Sequence, residues 1–91
     1  MPEFVIEREI PGAAKMSEEQ IRAASLVSLE ALKQLGPEIR WIRSFVTDDK
    51  IFCIYFANDE TLIREHGRLS GMPVDRITAV RRILDPDMFQ A

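Results

Sequence analysis

A single cysteine, Cys53, leaves the chain unable to close a disulfide within itself. It sits in the middle of an apolar run, and a reducing cytoplasm is the expected compartment. No apolar run approaches the ~18 residues of a membrane span. Met-Pro-Glu at the amino terminus lacks the basic-then-apolar form of a secretion signal. Neither sign of charge dominates, with 15 acids against 12 bases, and the nearest thing to a basic patch is Arg81-Arg82. Nucleic-acid binding draws on clustered phosphate-neutralising charge, so a nucleic-acid partner is not expected. A glycine-rich phosphate loop is missing too, since Gly71-Met72-Pro73 reads as a turn, and haem and flavin motifs are absent. No nucleotide, haem or flavin is therefore expected. One histidine and one cysteine give no ligand-spaced metal pair in one chain.

What the 91 residues do contain is an ordinary globular composition without low-complexity segments or a linker, read as one domain over 1–91. A domain of this size buries only ~60–65% of its unfolded surface, so pairing with a second copy would help its stability. The organising stretch is 39–57, where β-branched and aromatic residues crowd two arms around Asp48-Asp49. It reads as a β-hairpin with Thr47 opposite Lys50.

Residues 3–10 alternate as a first strand, with Phe4, Ile6, Arg8 and Ile10 on one side and Val5, Glu7 and Glu9 on the other, until Pro11-Gly12 ends it. Ser17-Glu18-Glu19-Gln20 is a capping box opening a helix that runs to Leu35 and stops at Gly36-Pro37. Its apolar stripe holds Ile21, Ala24, Val27, Ser28, Ala31, Leu32 and Leu35. Leu26 and Leu29 fall outside the stripe, either exposed or covered by Met88-Phe89 or a partner chain. A second helix over about 59–70 follows Asn58-Asp59-Glu60 and stops at Gly71, with His66 at the middle of its apolar arc. Residues 76–84 read as the last strand, ended by Asp85-Pro86. The order β-α-β-β-α-β with right-handed crossovers predicts an α+β, ferredoxin-like fold: a four-stranded antiparallel sheet with both helices on one face.

Strand alternation gives the hairpin two apolar faces, and one layer of helices covers only one. An unpaired guanidinium is costly to bury, which argues for the set with Arg43 on the open side. That set is Trp41, Arg43, Phe45, Phe52, Ile54 and Phe56, with Glu7 beside it on the first strand. Stacking two open faces in a homodimer, a dimeric α/β barrel-type association, would bury these aromatics. Glu7 and Arg43 are then candidate partners across or within the interface.

On the helix side, Ser44, Cys53 and Tyr55 point toward His66 and predict a small ligand pocket. Inward imidazoles are also commonly structural. An enzyme reading would make His66 a general base beside Tyr55 in a pocket between the second helix and the sheet. Cys53 beside His66 would begin a nucleophilic pair, although a mid-strand cysteine is usually packing. In a dimer, His66 from each chain with carboxylates such as Glu65 or Glu7 would suit a borderline ion such as nickel.

The chain also resembles a family of short bacterial proteins, a domain of unknown function, that includes a nickel-binding, nickel-responsive protein. The resemblance is carried by Glu7-Arg8-Glu9-Ile10-Pro11-Gly12, Trp41, Ser44, Val46-Thr47-Asp48-Asp49-Lys50, Cys53-Ile54-Tyr55 with Ala57, Arg64-Glu65-His66, and Gly71-x-Pro73. It implies a ferredoxin-like subunit, a dimer, and nickel binding on or near the dimer surface. Related dimeric ferredoxin-like proteins include cofactor-independent monooxygenases and isomerases. Three functions stay open: a dimeric small-ligand or nickel-binding protein, such an enzyme, or a dimeric module without chemistry.

Overall fold

The computed structural model describes residues 1–90. The chain runs β1 (Glu3–Glu9), α1 (Glu18–Leu35), β2 (Ile39–Val46), β3 (Lys50–Ala57), α2 (Glu60–Ser70) and β4 (Arg76–Ala79), with short 3₁₀ turns at Ala13–Lys15 and Pro86–Phe89. The strands form one antiparallel sheet in the order β2-β3-β1-β4, the ferredoxin-like arrangement. The helix limits follow from local chemistry. At α1 the Ser17 hydroxyl accepts from the Gln20 amide (3.1 Å) while Gln20 Oε1 accepts from the Ser17 amide (2.9 Å), satisfying two orphan donors at once. At α2 the Asp59 carboxylate accepts from the Leu62 amide, and Gly71 takes the left-handed conformation that closes the helix.

The hairpin turns where expected, with the Thr47 amide donating to the Lys50 carbonyl at 2.8 Å. Pairing is regular from Val46↔Ile51 to Arg43↔Ile54, and then a bulge leaves Ile42 without an opposite residue and sets Trp41 against Tyr55. Strict alternation puts Trp41 on the open face, and the extra residue moves it to the helix side.

The last strand is shorter than 76–84. β4 pairs with β1 in the register Phe4↔Ala79, and the Val80 amide donates to the carbonyl of Glu3, the first residue of β1. The paired strand ends there. Ile83, Leu84, Met88 and Phe89 are exposed, as are Leu26 and Leu29, so within one chain the tail does not cover that helix.

Phe4, Ile6, Ile39, Cys53, Tyr55, Ala57 and Ile63 make the core between sheet and helices. α2 comes so close to the following turn that a Cβ on Gly67 would sit 2.6 Å from Val74 Cγ2 and 3.3 Å from the Met72 carbonyl oxygen. Gly67→Ala gains ~1 kcal/mol of helix propensity but meets a stiff β-branched side chain and a backbone carbonyl, an overpacking cost of ~1–3 kcal/mol. Urea unfolding should show a net loss; a more stable variant would mean that the turn simply moves aside.

Candidate functional site

Between α1 and the sheet lies a cavity of about 290 Å³, near the lower end of ligand sites at ~300 Å³. Its walls are mostly apolar: Ile21 and Ala24 from α1, Val46 and Ile51 from the strands, and Ile10, Met16 and Met72 from the connections. Polar side chains converge into it as well, Arg8 from β1, Ser25 and Ser28 from α1, Ser44 from β2, and Cys53 and Tyr55 from β3. The cavity sits beneath α1, not between the second helix and the sheet as the enzyme reading expects. A second hollow, of about 470 Å³ between the end of α2 and the turn Met72–Val74, lies on the surface. The Arg64 and Arg68 that border it already face Glu60 and Glu65.

The polar groups are wired together. Trp41 Nε1 donates to Ser44 Oγ (2.9 Å), Ser44 Oγ donates to Cys53 Sγ (3.0 Å), and Arg8 Nε donates to the same sulfur (3.4 Å). Arg8 is 1% exposed. Its Nη1 donates to the Pro73 carbonyl at 2.8 Å, and its Nη2 is buried without a partner. Among the described residues no carboxylate lies within 4 Å of this guanidinium.

His66 is wholly buried and does not line the cavity. Its Nε2 lies 3.0 Å from Ser28 Oγ and 3.3 Å from the Ser28 carbonyl oxygen, its ring is tilted against Tyr55 at 5.3 Å, and its Nδ1 has no partner. A carbonyl only accepts, so the hydrogen belongs on Nε2. In that tautomer the imidazole offers Ser28 a donor, not a base, and no acid orients the ring as a nucleophile–base pair requires. Burial pushes the Tyr55 phenol up, with Ser28 and Arg8 pulling against it, so the phenol stays protonated near neutrality.

Burial, and after it the charge of Arg8, holds His66 below the ordinary imidazole range, against the pull of the Ser28 carbonyl. The unfolded chain therefore binds more protons than the folded one between that lowered value and ~6.5. Stability from this group is full above about pH 6.5 and falls as pH drops toward the folded value. The groups with lowered carboxylate values, Asp59 and Glu65, act only at more acid pH. Urea midpoints should decline from pH 7 to pH 5 in the wild type and flatten in His66→Gln. Parallel profiles would contradict a neutral buried His66.

The remaining candidates are scattered. Glu65 pairs with Arg68 on the outer side of α2, and Glu7 lies on the open sheet face, between Lys50 (3.5 Å) and Arg76 (3.8 Å). Glu7 does not meet Arg43 within the chain, because Glu7 stands opposite Phe52 and Arg43 opposite Ile54, two positions along. His66, Glu65 and Glu7 thus do not converge in one chain. Among the described residues no three His, Cys, Asp or Glu side chains are grouped to hold a metal ion. The donors of a single subunit do not fit nickel. Phe45, Phe52, Ile54 and Phe56 do share the open face with Glu7, and Trp41 does not.

Against known proteins, the model of the SCO4226-like nickel-responsive protein family matches residues 4–80. The chain belongs to this family. Among solved structures, SCO4226 from Streptomyces coelicolor A3(2) is similar at 14% identity with a TM-score of 0.76, over 90% of this chain and 99% of that one. At that identity the likeness to SCO4226 speaks for the fold. No curated protein matches the chain. Among the described residues no helix is long and apolar enough to cross a membrane.

Within this family member the two groups that most define the cavity, Arg8 and Ser28, were not among the expected site residues. Both left a sequence signal: a lone cation alternating with Phe4 and Ile6, and a serine in the apolar stripe of α1. Trp41 left none, because nothing in Ile-Arg-Trp-Ile-Arg announces a bulge.

Proposed function

We propose that this protein is a homodimeric small-ligand-binding protein whose site is the cavity beneath α1. The observation that carries the reading is an apolar cavity with a few polar side chains converging in it, the usual composition of a ligand site. Homodimerisation is supported by the open face, where Phe52, Ile54 and Phe56 are only half-covered and Phe45 is exposed. The apolar tail around Ile83, Leu84, Met88 and Phe89 adds to the uncovered surface. A cytoplasmic setting belongs to the same proposal and rests on the unpaired Cys53.

The test uses Trp41, the only tryptophan, as a reporter in the cavity wall. Titration with small neutral amides, 3-phenylpropanamide among them, should change its emission with saturation. Ala24→Phe, which fills the cavity from α1, should weaken that binding at least tenfold. An Ala24→Phe protein that binds as well as wild type would place the ligand elsewhere.

A second reading takes its support from the family, which is described as nickel responsive. Because one subunit's donors do not converge, nickel would have to be held between two copies, by carboxylates on exposed surfaces such as Glu7 and Glu65. Calorimetric titration of tag-free dimer with nickel tests this, and absence of heat at micromolar metal would end it.

A further inference from the structure

We infer that the cavity beneath α1 takes an organic carboxylate, its acid group seated on Arg8 and its apolar body lying against α1. The inference deepens the ligand-binding proposal and rests on it. Arginine stays protonated in any folded protein, and buried charges are almost always paired. Arg8 departs from that pattern. It is 1% exposed, sits on the central strand β1, and has no carboxylate within 4 Å among the described residues. Its hydrogen bonds go to neutral groups, the Pro73 carbonyl and the Cys53 sulfur that Ser44 shares, and the Tyr55 phenol also lies within its reach. Nη2 is left buried and without a partner among the described residues, and Arg8 is one of the residues that line the cavity.

Among the described residues no Asp or Glu stands in the wall around it. The phenol of Tyr55 keeps its proton, and the Trp41 and Ser44 hydrogens are directed inward along the chain that ends on Cys53. The charge of Arg8 acts on both Tyr55 and His66. A carboxylate fits this arrangement for two reasons. Its planar oxygens match a guanidinium edge, and a single charge neutralises a single cation. The cavity's remaining walls, from Ile21, Val46 and Ile51, call for a short apolar body.

Three matched pairs of acid and amide test this by Trp41 emission and calorimetry: phenylacetate, 3-phenylpropanoate and octanoate, each against its own amide. The wild-type protein should bind at least one acid about tenfold to a hundredfold more tightly than its amide, as expected for a charge-assisted pair. Arg8→Met should erase that preference, so that each acid binds no more tightly than its own amide, with circular dichroism confirming the fold. Arg8→Lys keeps the charge without the planar fork and should retain part of the preference. If acids and amides bind equally to the wild type, the anion inference falls while the cavity remains a ligand site. If neither class binds, the cavity reading falls and the inference with it. An acid preference that survives Arg8→Met overturns the assignment to Arg8.

Discussion

Arg8→Met is expected to make the ligand-free protein more resistant to urea, by about 1–3 kcal/mol. The wild-type side chain brings a full charge into a 1%-exposed position, at an effective cost of several kcal/mol for the ion. Against that stand one good hydrogen bond, to the Pro73 carbonyl at 2.8 Å, and a weak one to Cys53 sulfur. Hydrogen bonds from charged groups return ~1.5–3 kcal/mol each, and the sulfur contact falls below that range. Methionine reaches only to the level of the arginine Nε, adapts its shape, and carries no charge to desolvate. The variant does leave the Pro73 carbonyl short of a donor, which keeps the expected gain modest. For a domain of this size each kcal/mol moves the melting temperature by ~4–8 °C, so the gain is readily measured. A less stable Arg8→Met would mean that the guanidinium repays its own burial without a ligand. A gain in stability at the expense of acid binding would mark Arg8 as a group kept for function.

The double substitution Phe45→Glu with Phe52→Glu is expected to turn the proposed dimer into a monomer. The two rings face each other across β2 and β3 on the open side of the sheet. In an isolated subunit such a pair is worth only ~0.2–1 kcal/mol, and Phe45 is already more than half exposed. The fold should therefore survive. In a face-to-face dimer four rings would leave water, at ~1.5–3 kcal/mol for each one fully buried. Four new carboxylates would also gather near two copies of Glu7, which lies opposite Phe52. A loss of at least about a thousandfold in association follows, some 4 kcal/mol. Sedimentation of wild type and variant at micromolar concentration decides the matter. A wild-type monomer, or a variant that still dimerises, would show that this face is not the contact.

Much of this architecture was legible because its signals are local and redundant. Ser17 and Gln20 announce the start of α1, Gly36 and Pro37 its end, and Asp48-Asp49 sets the hairpin register. The inward side of β1 was equally plain from Phe4 and Ile6. What stayed hidden depends on partners distant in sequence. The cost of burying a guanidinium was weighed for Arg43, which lies on an edge strand and reaches water, whereas Arg8 on the central strand does not. The length of β4 could not be read from 76–84, because the limit is set by where β1 begins. The cavity, too, was expected at His66, yet it opens beneath α1. Small side chains there, Ala24 and Ser28, leave room that apolar periodicity does not reveal.

The unpaired residue in β2 has a consequence for how chains of this family can differ in length. Every partner on β3 is already engaged by the residues on either side of Ile42, with Arg43 opposite Ile54 and Trp41 opposite Tyr55. Loss of that one codon would restore unbroken pairing without changing any cross-strand partner, and the indole would keep its side. A relative shorter by a single amino acid at this point would still enclose the same space, so an apparent gap in an alignment there is silent for the cavity.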